Sequence, residues 1–247
     1  MVFFKNPTGM TKWFFLFALL MASCKSEYHQ TAFYKVNATN RQNEADVDQI
    51  NTKAKLVEVF SDSLQVGRKK LNKFELRRYA SGDSNYVFIR FSSKIADKWV
   101  VRNEFHFSKD PVADCDPNVS DFNNDGLNDI TYVSAVAARG ANEVRTLFIY
   151  NRKKDNLIYV KNSDQFPNML YNEELNCIDA FLVSGCNTTV FLKLEADSLR
   201  QVASVDQCDS ITVKTYDKRG LEKIILKEET NQGDVMRYKN YNPLKEN

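Results

Sequence analysis

The sequence predicts an all-β chain, an antiparallel meander folded as a propeller-like or barrel array with one calcium loop. Three observations carry this. From Leu56 onward the pattern turns to a period of two, and 86–91 (YVFIRF) and 99–107 (WVVRNEFHF) are strand-like, rich in β-branched and aromatic residues. The C-terminal third is a succession of short apolar runs separated by turn residues at regular spacing. Helical periodicity is nearly absent; a turn or two near 168–175 is the one helix expected.

The elements follow in order. Residues 1–23 have the layout of a secretory signal: Lys5 and Lys12 in front, the ten-residue apolar run 13–22, then Ser23 before Cys24. Ten apolar residues are too few to span a bilayer, which takes about 20. Residues 20–24 (LMASC) resemble the lipobox of bacterial lipoproteins, with Met21 where that family has a smaller aliphatic residue. The resemblance implies that Cys24 becomes the N-terminus and carries the lipid. Several acyl chains anchor stably, because each buried methylene contributes about 0.8 kcal/mol. The expected setting is therefore an exported, membrane-anchored protein, periplasmic or at the cell surface.

Residues 24–55 are polar and read as the lipidated cysteine with a flexible tether, interrupted at most by a short strand at 32–36. Residues 56–247 read as a single β-rich domain, with further strands at 130–133, 144–150 and 157–160. Beyond these, 178–183, 189–194, 199–205, 211–216 and 223–226 form the terminal meander. Removing 23 of 247 residues leaves 224, enough to hide roughly 70–75% of the unfolded surface in one domain. Subtracting Lys5 and Lys12 from the 34 basic residues leaves 32, against 32 acidic residues. A neutral mature chain lacks the basic footprint of a nucleic-acid binder.

Four cysteines remain after Cys24: Cys115, Cys177, Cys186 and Cys208. An even number in an exported chain suggests disulfides, with three possible pairings; no C-x-x-C spacing suggests zinc. Successive hairpin turns alternate between the ends of a sheet. The turns of Cys186 and Cys208 are two apart and share an end, which favours Cys186–Cys208 and leaves Cys115–Cys177.

The sharpest motif is 121–129 (DFNNDGLND). Asp121, Asn123, Asp125 and Asp129 place side-chain oxygens at positions 1, 3, 5 and 9, Gly126 permits the turn, and the Leu127 carbonyl adds a ligand. Calcium takes six to eight such oxygens. Asp-Gly is also a strong hairpin turn, but three aspartates gathered without a cation repel one another. Position 12 is Tyr132 and a strand follows, so the loop is not an EF-hand. It resembles the calcium loop between strands of FG-GAP and related β-propeller proteins.

No enzyme is expected. Only His29 and His106 are available, and no G-x-S-x-G, HExxH or P-loop pattern occurs. His106 reads as a strand-surface or interface residue. The order of lipobox, polar tether, strands, acidic loop and the run 147–151 (LFIYN) resembles lipoprotein immunity proteins of bacteria, which neutralise peptidoglycan hydrolases and are similar to periplasmic lysozyme inhibitors. The resemblance implies a distorted β-propeller-like array, one structural calcium ion, and a hydrolase or lysozyme as partner. Loop 134–143, with Arg139 and Gly140, is the candidate for entering an enzyme cleft and offering a cation to catalytic carboxylates. The alternative is a calcium-stabilised cell-surface module binding glycan or protein, which predicts an exposed aromatic cluster.

Overall fold

A computed structural model describes residues 54–82, 84–229 and 236–246. The signal, Cys24, the tether and the strand expected at 32–36 lie outside the described residues. Among those described, no helix is long and apolar enough to cross a membrane.

The chain is an all-β antiparallel meander. The first sheet runs β1 (Lys55–Asp62), β2 (Asn72–Ser81), β3 (Ser84–Ile95) and β4 (Lys98–Ser108), each beside the next. The second repeats the pattern with β5 (Asn118–Ser120), β6 (Asp129–Ala137), β7 (Asn142–Asn151) and β8 (Asn156–Tyr159). The third has six strands: β9 (Leu170–Asn172), β10 (Cys177–Leu182), β11 (Asn187–Glu195), β12 (Ser198–Gln207), β13 (Ser210–Tyr216) and β14 (Glu222–Glu229). A hairpin, β15 (Tyr238–Tyr241) and β16 (Leu244–Glu246), ends the chain. No described sheet closes into a barrel. The helical turn expected near 168–175 is instead β9 and its turn, because residues 170–172 pair in register with 177–179 of β10.

Three cores explain the stacking. Phe74, Leu76, Val87, Ile89 and Phe91 of the first sheet meet Ile130, Tyr132, Phe148 and Tyr150 of the second. The opposite face of the second sheet, through Leu147 and Ile149, packs on Ile178, Ala180, Val190 and Leu192 of the third. The third sheet's far face, with Phe191, Ala203 and Val205, is covered by Tyr238 and the terminal hairpin. β7 is therefore covered on both faces, which is why 147–150 (LFIY) is a continuous apolar run rather than an alternating one. The first sheet is different: its outward side chains are covered by no other described sheet.

Polar contacts join the first two sheets at one end. Asp155, in the turn between β7 and β8, accepts hydrogen bonds from Asn72 Nδ2 at 3.0 Å and Tyr150 OH at 2.8 Å. It also pairs with Arg68 at 2.7 Å and Arg102 at 3.3 Å. Gly67 lies beside this cluster at φ +54, where an added Cβ would sit 2.8 Å from Asn72 Oδ1. Its N–H donates to the Asn128 carbonyl at 2.8 Å, which ties the end of the acidic loop to the first sheet.

Candidate functional site

The acidic loop connects β5 to β6 at the foot of the β6–β7 hairpin. Asp121 draws the loop around itself: Oδ1 accepts the N–H of Asn123 at 3.3 Å and of Asp125 at 3.2 Å, and Oδ2 that of Gly126 at 2.8 Å. Asp125 Oδ1 in turn accepts the Leu127 N–H at 2.9 Å. Gly126 adopts φ +81, the left-handed turn its position in the motif requires. Asn123 Nδ2 donates to Asp125 Oδ2 at 3.2 Å, so Asp121, Asn123 and Asp125 are brought together near the surface.

Asp129 is placed differently from its neighbours in the motif. It is completely buried, and its two oxygens accept the backbone N–H groups of Phe122 at 2.9 Å and Tyr150 at 2.8 Å. Burial pushes its carboxyl up to about 8. The two backbone donors oppose that rise, while Asp125 and Asp121 add to it. No cationic side chain among the described residues lies within ion-pair distance of it.

Among the described residues, no group of three His, Cys, Asp or Glu side chains is arranged to hold a metal. An oxygen set for a hard cation would have to draw on Asn123 and the Leu127 carbonyl as well as Asp121, Asp125 and Asp129. Such mixed sets are ordinary calcium chemistry. The elevated carboxyl of Asp129 beside two further aspartates is an electrostatic cost that a divalent cation would relieve.

At the other end of the same hairpin, residues 137–141 are all exposed. Ala138, Arg139 and Gly140 take φ values of 49, 58 and 93 in succession. For the two non-glycine residues this conformation costs roughly 1–2 kcal/mol each. The tip is braced from below. Asn142 exchanges two hydrogen bonds of 2.8 Å with the backbone of Val183. Asn168 accepts the Glu143 N–H at 3.0 Å and donates from Nδ2 to the Ala141 carbonyl at 2.9 Å. Arg145, one turn below, is spent on Asp116 at 2.7 Å and Glu143 at 2.5 Å. Arg139 has no carboxylate within ion-pair distance among the described residues.

The cysteines divide. Cys186 and Cys208 form a disulfide, flanking the register pair Asn187–Gln207 at one end of the third sheet. The expected Cys115–Cys177 bridge does not form: both are free, buried thiols. Cys115 lies in the core between the first and second sheets, and Cys177 on the far face of the third. Two sheet layers separate them, roughly 20 Å, far beyond the ~7 Å Cα limit for a bridge. Burial pushes their thiols up to about 12 and about 11.

The outer face of the first sheet carries a cluster that no short motif in the sequence marks. Tyr79 and Tyr86 stack at 5.2 Å, and His106 leans on Tyr86 at 4.9 Å. His106 is an exposed strand residue, as its alternation predicts. The clue lies within 86–91, where Tyr86 and Phe88 occupy the phase opposite to the buried Val87, Ile89 and Phe91.

No family model and no curated protein matches the chain. One solved structure, described as that of a Xanthomonas Type IV Secretion System related protein, is similar at 11% identity with a TM-score of 0.44. The match covers 70% of this chain and 96% of that one.

Proposed function

We propose that this chain is an exported lipoprotein, anchored through Cys24, that acts as a calcium-stabilised inhibitor of a peptidoglycan hydrolase and is not itself an enzyme. Calcium sits on Asp121, Asn123, Asp125, the Leu127 carbonyl and Asp129, and stiffens the foot of the β6–β7 hairpin. The hairpin is the inhibitory arm. Arg139 and Gly140 at its tip enter the enzyme's cleft, and the guanidinium meets the catalytic carboxylates.

The observation that supports this reading is the tip itself. A left-handed Ala138–Arg139–Gly140 turn is energetically costly, is exposed, and carries a guanidinium with no carboxylate partner among the described residues, on a base braced by Asn142 and Asn168. Strain of this kind points to a role for the tip, and bracing it beforehand lowers the entropy lost on binding. A charge-assisted hydrogen bond from Arg to a buried carboxylate is among the stronger polar contacts available.

The test is titration of the protein into a muramidase hydrolysing purified peptidoglycan. Stoichiometric loss of activity, weakened at least tenfold by Arg139→Glu with an unchanged melting temperature, is the expected result. Full muramidase activity at saturating protein removes the inhibitor reading. The alternative, a cell-surface module binding glycan or protein, is favoured by the aromatic face of the first sheet.

A further inference from the structure

The outward face of the first sheet is built from three rows that cross all four strands in register. They read Leu56–Tyr79–Tyr86–Ser108, Val59–Arg77–Phe88–His106 and Ser61–Glu75–Arg90–Glu104. Their neighbours along each strand, such as Phe60, Leu76, Ile89 and Phe105, belong to the core on the opposite face, so these rows point away from it. The face exposes apolar side chains among its charged ones: Leu56 is 46% exposed, Val59 59% and Trp99 43%. Its extent follows from sheet spacing. Four strands are roughly 19 Å wide, and the rows with Lys73 and Trp99 below them run about 25 Å. That is on the order of 500 Å² in projection and more in accessible surface, approaching the ~800 Å² per partner of a stable interface. Tyr and Arg, both present on this face, are among the residues that dominate binding energy in interfaces.

The order of residues within the rows says which partner fits. A two-fold axis parallel to the strands, between β2 and β3, lays β2 of one chain over β3 of a second copy and β1 over β4. Each row is then self-complementary. Tyr79 faces Tyr86 of the second copy, Arg77 faces the ring of Phe88, Glu75 faces Arg90, and Val59 faces His106. One row supplies an aromatic pair, the next a cation over a ring, and the third opposite charges. Isologous two-fold contacts require this reciprocity, and aligned sheets packing face to face are an ordinary arrangement. We propose that the outer face of the first sheet is a homodimer interface, in which two copies close into a sandwich about this axis. The contact is modest in area, so dissociation in the micromolar range is expected.

Two measurements on the full chain test it. In the double variant Val59→Cys, His106→Cys, the new cysteines lie three strands apart within one chain, about 14 Å, and cannot bridge internally. Across the proposed interface they face each other. Oxidation should give a disulfide-linked dimer on a non-reducing gel, with mass mapping placing the bridge at 59–106 and the parent chain giving no such peptide. In sedimentation equilibrium, Glu75→Arg and Arg90→Glu should each weaken the dimer at least tenfold, while the double swap restores it. Glu75 and Arg90 are also register neighbours within one chain, so the melting temperature of each variant is read alongside, and a dimer lost only where that midpoint falls overturns the proposal. A monomer at about 100 μM, a dimer indifferent to both charge reversals, or a cross-link that maps elsewhere overturns the proposal, whether a glycan, another protein or the chain's own N-terminal residues cover the face instead.

Discussion

Replacing Asp155 with asparagine should cost stability at neutral pH and almost nothing in strong acid. The carboxylate ties the β7–β8 turn to β2 through Asn72, to the segment before β2 through Arg68, and to β4 through Arg102. Burial works to raise its pKa, but hydrogen bonds from Asn72, Tyr150, Ser93 and Arg68 outweigh it and hold the group at about 2, against an ordinary 3.8. That depression corresponds to roughly 2.4 kcal/mol at 1.36 kcal/mol per pH unit. Arg68 and Arg102 are partly solvent-exposed, and screening reduces the figure to about 1–2 kcal/mol. Because the folded pKa is lowered, the stabilisation is complete above pH ~4 and is lost as pH falls through 2. Urea unfolding of the parent and Asp155→Asn chains at pH 6, 4 and 2 should show a gap of about 1–2 kcal/mol that closes at the lowest pH. A gap that persists undiminished at pH 2, or none at pH 6, would refute the claim that this ion network joins the first two sheets.

The remaining predictions concern the loop, the backbone and the cysteines. Millimolar calcium should raise the melting temperature, and Asp125→Ala should abolish the rise while leaving the calcium-free midpoint nearly unchanged, because Asp125 is exposed and its bonds are local. Asp129→Ala should lower the midpoint with or without calcium, since it strands the buried N–H groups of Phe122 and Tyr150 at roughly 1–3 kcal/mol each. Gly67→Ala should destabilise by more than the ~1 kcal/mol typical of a left-handed position, because its Cβ also meets Asn72 Oδ1, and chemical denaturation measures it. Breaking Cys186–Cys208 by Cys186→Ser should cost about 3 kcal/mol for a loop closed over 22 residues. Iodoacetamide at pH 8 should leave Cys115 and Cys177 unmodified in the native protein and label both in denaturant, read by peptide mass.

The sequence makes legible what depends on short-range pattern. The β-branched and aromatic runs at 86–91 and 99–107 identify β3 and β4, and the terminal meander leads to the Cys186–Cys208 pairing because hairpin turns alternate between sheet ends. What depends on the order of packing is not legible. The Cys115–Cys177 expectation came from elimination, and elimination contains no information about which faces two residues occupy; the stacking of sheets puts them two layers apart. β2 carries a strict alternation of its own at 73–77, with Lys73, Glu75 and Arg77 outward and Phe74 and Leu76 inward, and only the inward Arg78 breaks it. β9 reads as a helical turn because three residues are too few to display any period. In the acidic motif, spacing alone does not distinguish an aspartate facing solvent from one turned into the core, and Asp129 is the latter.

That position of Asp129 bears on what calcium would do to the proposed inhibitory arm. The acidic loop and the tip lie at opposite ends of β6, nine residues and roughly 30 Å apart. Asp129 clamps the foot of both strands, since it begins β6 and accepts from Tyr150 of β7. The tip is held by a separate set of bonds, from Asn142 to Val183 and from Asn168 to Glu143 and Ala141, which tie it to the third sheet rather than to the loop. A cation bound at the foot therefore has no direct contact through which to reorganise residues 137–141. A conformational switch requires a ligand that favours one arrangement of the tip over another, and none of these bonds links the tip to the loop. Calcium bound there would act as a structural staple. Chelation should lower the melting temperature of the chain while leaving inhibition intact at temperatures where it stays folded. Loss of inhibition on chelation well below the melting transition would show that the loop controls the tip and that the Asn142 and Asn168 braces do not hold it alone.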